Sequence, residues 1–251
     1  MNSLVNTAFV GSLLMVAACA TAPPDPVARA EFNQLNDPAE PTNRAIFGAN
    51  RYVDRNVLKP VAGAYRDVVP DRARRSVGNF ASNLSEPRVF LNDVLQGNVS
   101  RAWNTTQRFA VNSTLGAAGL FDVATDWGLP KHDADFGQTL GVWGVGTGPS
   151  VQLPLLGPSN VRDAVGGVVG IVTNPLSFIP GGAITAVTSV GTGAGIVDGR
   201  AQVLDTTNSL EASSLDSYAT LRSISAQRRA ALVEEGRMGI NSEQPRAGGA
   251  R

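Results

Sequence analysis

Histidine and cysteine each occur once in this chain, as His132 and Cys19, and lysine occurs only twice, as Lys59 and Lys131. A single cysteine excludes an internal disulfide, and one histidine beside it leaves no Cys/His set that could hold zinc. A long apolar run is missing too. The N-terminal run AFVGSLLMVAA, residues 8–18, counts eleven residues, whereas a helix crossing a bilayer needs about 20. Net charge is absent, because 21 basic residues meet 21 acidic ones. That balance argues against nucleic acid as the main partner.

Catalytic motifs are missing as well. A Ser-His-Asp hydrolase would have to use His132, yet no G-x-S-x-G elbow is present. The glycines do not fall into G-x-G-x-x-G, and neither lysine follows a Walker-type loop. His132, between Lys131 and Asp133, reads as a solvated loop histidine, and Asp133 and Asp135 read as helix caps rather than an acid/base pair. Arg72, Arg74 and Arg75 could meet lipid phosphates or an acidic partner, although such a run is usually a solvated helix face. No catalytic constellation emerges, so the expectation is a protein that is not an enzyme and carries no cofactor and no metal.

What is present begins with the N-terminal run, whose length suits the apolar part of a secretory signal. The run ends Val16-Ala17-Ala18-Cys19, an aliphatic residue and two small ones before a cysteine, which is the pattern of a lipobox. The alternative is an ordinary signal peptide with an incidental cysteine. Acylation explains both the position and the solitude of Cys19, and two or more acyl chains hold a protein stably on a membrane where one does not. The residue after Cys19 is Ala20 rather than the Asp that retains such proteins in the inner membrane, so the expected location is the outer membrane, lipid-anchored on its periplasmic side. The chain then divides into a signal peptide (1–18), a lipidated tether (19–36), a helical domain (37–235) and a flexible C-terminal tail (236–251).

Within the domain, Asp37-Pro38 predicts a helix start, with Ile46, Phe47, Val53, Val57 and Leu58 at helical spacing up to a stop at Lys59-Pro60. A segment over 62–69 ends at Pro70. A helix over 71–84 with Val77, Phe80 and Leu84 on one face precedes another that Glu86-Pro87 opens, with Val89, Phe90, Val94 and Leu95 inside and Gly97 as its stop. Residues 98–113 follow with Val99, Trp103 and Ala110, flanked by Arg101 and Arg108. Asp135 starts a short helix to Trp143, after which Gly144, Gly146, Gly148 and Pro149 force a tight turn. Ser159 predicts the cap of a helix through Val172. Polar helices over 198–213 and 215–235 close the domain. No strand alternation of convincing length appears, so the class is all-α.

Charge is distributed unevenly. Between residues 136 and 197 only Arg162 and Asp163 are charged. Pro175, Pro180 and many glycines rule out a simple transmembrane helix there. A glycine-rich core, a pair of re-entrant or interfacial segments, and aggregation-prone disorder all fit this composition. Membrane anchoring argues for the second.

Several segments in one order carry a resemblance. They are Asp37-Pro38-Ala39-Glu40-Pro41-Thr42-Asn43-Arg44, Leu58-Lys59-Pro60-Val61, Tyr65-Arg66-Asp67-Val68-Val69-Pro70, Asn79-Phe80, Asn83-Leu84, Glu86-Pro87 and Leu95-Gln96-Gly97. Arg108-Phe109, Asn112-Ser113-Thr114-Leu115-Gly116, Gly119-Leu120-Phe121-Asp122, Phe136-Gly137-Gln138-Thr139-Leu140-Gly141, Gly148-Pro149 through Leu153-Pro154, and Arg162-Asp163 follow. Together they resemble the VacJ/MlaA family of outer-membrane phospholipid-transport lipoproteins. The resemblance implies a ring-like bundle of amphipathic helices lying in the membrane around a central amphipathic channel. It implies removal of mislocalised phospholipid from the outer leaflet and its transfer to a periplasmic carrier of the MlaC type, beside a trimeric outer-membrane porin. It also implies a hairpin that controls the channel, at Gly144, Gly146, Gly148, Pro149 and Pro154. The alternative is a structural lipoprotein that scaffolds a porin or envelope complex.

Overall fold

Helix caps and stops written in the sequence set most of the element boundaries. The computed structural model describes Asp25 and residues 36–239. Helix α1 is Glu40–Val53, which passes through a π-helical turn, Asp54–Leu58, into α2, Lys59–Val68. Val69 is extended before Pro70, and α3 then runs over Asp71–Leu95. Gly97, at φ +71°, turns the chain into α4, Val99–Thr114, whose first turn is capped by the Asn98 side chain. A short α5, Val123–Asp126, leads to α6, Phe136–Val142. Two four-residue strands, β1 Ser150–Leu153 and β2 Gly157–Asn160, form an antiparallel hairpin with Ser150 opposite Asn160 and Leu153 opposite Gly157. Helix α7, Val161–Val172, a 3-10 turn Pro175–Phe178, and helices α8 Gly182–Gln202, α9 Leu204–Ser213 and α10 Ser217–Met238 complete the order. The class is all-α. The hairpin escapes sequence reading because four residues are too few to display a period of two.

Helix α3 packs on α4 and on α8, α8 on α2, α6 on α7 and α10, and the hairpin on α1 and α10. No helix among the described residues is long and apolar enough to cross a membrane.

Six boundaries differ from those expected; one is the start of the helix expected over 198–213, since α8 runs on to Gln202 and α9 opens only at Leu204. The first helix opens at Glu40 rather than Asp37-Pro38, because Asp37 is engaged elsewhere: it accepts from Asn43 at 2.7 Å, from Arg222 at 2.6 Å and from the Tyr218 hydroxyl. Pro60 does not stop the helix, since the π-helical turn just before it widens the backbone. Pro87 lies inside α3 instead of opening a new helix. Glu86 and Val89 beside it are buried against neighbouring elements, and that packing offsets the roughly 3 kcal/mol an internal proline costs. Asn160, not Ser159, caps α7, and its side chain accepts from the Asp163 amide at 2.9 Å. Helix α10 continues past 235 to Met238, with Gly236 buried against Gln96, before Gly239 ends it at φ +69°.

The larger difference is the direction in which side chains point. The largest fully buried side chains are Arg101, Arg108 and Gln138, followed by Val89 and Thr105. Buried apolar residues are mostly alanines, whereas Asn43, Asn83, Asn92, Asn104 and Asn112 are all inside. Conversely, the three tryptophans are 54–63% exposed, and Phe178 and Ile171 exceed 70%. Phe90 and Val94, which periodicity assigns to an interior, face outward, as do Val99 and Trp103. On α4 the two faces are interchanged: Arg101, Asn104, Thr105, Arg108 and Asn112 point in. His132 is likewise buried rather than solvated, with Nε2 2.9 Å from Asp93 Oδ2, to which Thr105 donates at 2.7 Å.

Candidate functional site

A cavity of about 1080 Å³ lies between α10, the start of α7, the hairpin and the loop that follows α6. Its floor is built by helix caps. Asp135 caps α6 by accepting from the Gln138 amide at 2.9 Å, and Asn160 caps α7. Arg229, from α10, joins the Asp135 cap to Asp163 in the first turn of α7. Its terminal nitrogens donate to the Asp135 oxygens at 2.6 and 2.7 Å, and its Nε donates to Asp163 Oδ2 at 2.7 Å. Arg162 Nε donates to the other Asp163 oxygen at 2.8 Å. Burial pushes the Asp135 carboxyl upward, but the hydrogen bonds and charge of Arg229 outweigh it and hold the group below its ordinary value. Burial likewise pulls Arg229 down, and its bonds to Asp135 and Asp163 more than reverse that.

Two glycines make this junction possible by close approach. A Cβ on Gly166 of α7 would sit 2.3 Å from the Gly137 nitrogen of α6, and one on Gly137 would meet Arg229 Nη2 at 2.7 Å and Asp163 Oδ1 at 2.8 Å. Only hydrogen at both positions lets α6, α7 and Arg229 converge.

The hairpin is held from the other side by two asparagines of α1. Asn43 Nδ2 donates to the Ser150 carbonyl at 3.1 Å, and its Oδ1 accepts from the Gln152 amide at 2.9 Å. Two turns on, Asn50 Nδ2 donates to the Leu153 carbonyl at 2.9 Å, and its Oδ1 accepts from the Leu155 amide at 2.8 Å. Each carboxamide thus serves strand β1 as a neighbouring strand would, without spending a backbone group. The loop before β1 is tied to α7 through the Arg162 amide, which donates to the Thr147 carbonyl at 3.1 Å, and through the Val161 amide, which donates to the Pro149 carbonyl at 3.1 Å.

Of the residues picked out in the sequence, Gly144, Gly146 and Gly148 line the cavity, and Gly144 and Gly148 carry φ of +90° and +68°. Pro149 stands at the foot of β1 and Pro154 in the exposed turn of the hairpin; neither borders the cavity. Cys19 lies outside the described residues. Residues that sequence reasoning missed include Asn43 and Asn50, Arg229, and the cavity-lining Arg88 and Arg228. Asn43 and Asn50 stand two helical turns apart, which places them on one face, but nothing local says that a strand lies there. A second, smaller groove of about 290 Å³ between α3 and α4 is lined by Phe90, Val94, Val99, Ala102 and Trp103. The two openings differ in chemistry, the large one rich in arginine and carboxylate and the small one apolar.

Residues 35–232 match the family model described as MlaA lipoprotein. The Escherichia coli (strain K12) intermembrane phospholipid transport system lipoprotein MlaA is 37% identical over 236 residues, covering 91% of this chain and 88% of that protein. An uncharacterized protein of Rickettsia felis is 38% identical over 146 residues, a match that spans 58% of this chain and 58% of the relative's length. An uncharacterized protein of Rickettsia bellii is 34% identical over 206 residues, 80% of this chain and 78% of that one. A solved structure described as "Structural basis for maintenance of bacterial outer membrane lipid asymmetry" is similar with a TM-score of 0.67 and 37% identity, covering 78% of this chain and 98% of that chain.

Proposed function

This chain belongs to the MlaA lipoprotein family, and from that premise we propose that it is an outer-membrane lipoprotein that removes mislocalised phospholipid from the outer leaflet and passes it to a periplasmic carrier. The observation that carries the reading is the exchange of faces: arginines, asparagines and glutamines inside, tryptophans, valines and isoleucines outside. In hydrocarbon an apolar exterior is favourable, and polar groups are confined to the protein interior or to a wet cavity. Tryptophans on the surface suit the boundary between headgroups and tails. The body lies in the membrane as a ring-like set of amphipathic helices, with the polar cavity as the headgroup's route and the apolar exterior in contact with tails.

Cys19, cut free of its signal peptide and acylated, holds the body at the periplasmic leaflet, while the nearly uncharged segments of α7 and α8 sink deeper as interfacial elements. The loop and hairpin control access to the cavity, with Gly144, Gly146 and Gly148 at its wall and Pro149 and Pro154 away from it at the two ends of β1. A trimeric porin stands beside the ring, and an MlaC-type carrier receives the lipid. Moving a lipid breaks no covalent bond, so the work needs a shaped polar passage and no catalytic group.

Deleting the gene and labelling surface-exposed phospholipid tests the reading. A rise in outer-leaflet phospholipid with loss of detergent resistance is expected. No rise refutes it, and co-purification with a porin without any effect on lipid replaces it with the scaffolding role.

A further inference from the structure

Six arginines line the large cavity, and four of them already face a carboxylate: Arg162 and Arg229 on Asp163, Arg222 on Asp37, and Arg237 on Glu234. Arg88 on α3 and Arg228 on α10 form no direct ion pair among the described residues, and Arg88 reaches only as far as a weaker electrostatic pull on Asp135, whose carboxylate Arg229 already grips. Asp133 is the wall's carboxylate in the same position, so the uncommitted charge of the cavity is two guanidiniums against one carboxylate. Arg228 and Arg229 are consecutive on α10 and therefore project about 100° apart around the helix. One is spent on Asp135 and Asp163, and the other stays available to whatever enters.

Resting on the transport reading above, we infer that Arg88 and Arg228 are the residues that recognise the phosphodiester of a glycerophospholipid in this cavity. A guanidinium presents paired N–H donors in a plane that matches two phosphate oxygens, and such charge-assisted bonds are stronger than neutral ones. Partial enclosure strengthens them further by lowering the effective dielectric. Because Arg162 and Arg229 are tied into the floor of the site, they hold shape while these two choose the ligand. A single negative charge on the phosphate leaves the wall close to neutral, and Asp133 offers a place for a headgroup ammonium. Lipids without a phosphate lose the interaction altogether.

The test uses the full-length lipidated protein in detergent, mixed with vesicles of phosphatidylethanolamine, of phosphatidylglycerol, or of a phosphate-free diacylglycerol in a neutral carrier lipid. Captured lipid is counted after re-isolation. The Arg88→Gln/Arg228→Gln protein should capture both phospholipids less, by on the order of tenfold, with diacylglycerol unaffected. Arg88→Lys/Arg228→Lys should recover part of the loss, and Arg72→Gln/Arg75→Gln, outside the cavity, should change nothing. Soluble glycerophosphoethanolamine should compete with wild-type capture; if it binds as tightly as the lipid, the site is one for free phosphodiesters and the inference falls. Should the double variant fail to fold, the exposed Arg228→Gln alone and the salt dependence of wild-type capture carry the test, and a salt-independent capture overturns the inference. Equal phospholipid capture by wild type and the folded double variant overturns the headgroup assignment and leaves transport intact. Failure of the wild type to capture any phospholipid instead removes the transport reading itself.

Discussion

Arg229 grips Asp135 with both terminal nitrogens, at 2.6 and 2.7 Å, and so fastens the last long helix to the N-terminal cap of α6. Its Nε simultaneously holds Asp163 of α7. Three elements of the cavity floor therefore depend on one planar cation, whose side chain is 20% exposed.

Replacing Arg229 with Met should cost about 3 kcal/mol, the lower end of what breaking a buried pair costs, because Asp135 loses its guanidinium and the buried Asp163 keeps only that of Arg162. Arg229→Lys should recover less than half of the loss, since one ammonium cannot reach both carboxylates with the same geometry. Denaturant unfolding in detergent measures both. A double-mutant cycle with Asp135→Asn should show strong coupling; additive effects would mean that the bridge does not stabilise the floor.

A second buried pair predicts a dependence on pH. Glu86 lies 3.2 Å from Arg108, which also holds Asp122 at 3.0 Å. Burial pushes the Glu86 carboxyl up from 4.5 to about 7, against the pull of Arg108. An acid raised on folding contributes stability that is full below pH 4.5 and is lost as pH rises through about 7. Asp122, also drawn upward by burial, is held below its ordinary value by Thr125, Arg108 and Asn112, so its own contribution is lost only at more acidic pH. Wild-type stability minus that of Glu86→Gln should therefore fall between pH 5 and pH 8. A flat difference would contradict the assignment.

The hairpin anchors make a local prediction. Asn50→Ala removes two hydrogen bonds, one to the last residue of β1 and one to the turn beyond it, each worth about 1 kcal/mol net. The Leu155 amide, bonded to Asn50 Oδ1 at 2.8 Å, should then exchange its hydrogen roughly thirtyfold faster, in line with that energy. The Gln152 amide, held by Asn43, should respond less. Asn50→Asp keeps an acceptor for Leu155 but cannot donate to the Leu153 carbonyl, and its exchange rate should fall between the two.

Adjacent glycines of α7 should behave oppositely. Gly166→Ala drives a methyl to within 2.4 Å of Gly137 Cα, with backbone that cannot swing aside, and should destabilise by 3 kcal/mol or more, at or above the roughly 1–3 kcal/mol usual for overpacking. Gly167→Ala meets nothing within 4 Å, and should stabilise the helix by about 0.5–1 kcal/mol. Thermal midpoints of the two variants decide it; the same sign in both would refute the packing argument.

For the anchor, Cys19→Ala should leave the helical signature of the folded body intact while the protein leaves the outer-membrane fraction and the envelope becomes detergent-sensitive. Retained outer-membrane fractionation together with activity in that variant would refute acylation as the anchor.

Local chemistry decided by itself where most elements begin and end. Pro70, Gly97, Asp135 and the break near Ser214 act within a turn of their own backbone, so they are legible without a fold. Pro60 and Pro87 were misleading because a widened turn and the burial of Glu86 and Val89 outweighed the local penalty. Periodicity also marked an apolar and a polar face on helices such as α4. Periodicity carries no sign, however: Val99 and Trp103 share a face whether it meets a core or a membrane. Only the packing of α3 against α4 turned Arg101 and Arg108 inward, toward Asp93 and Glu86. The cavity likewise needed residues from 88, 135, 163 and 229 to converge, distances along the chain over which no sequence pattern operates. An amphipathic helix defines two faces; the surrounding medium and the neighbouring helices decide which of them is inside.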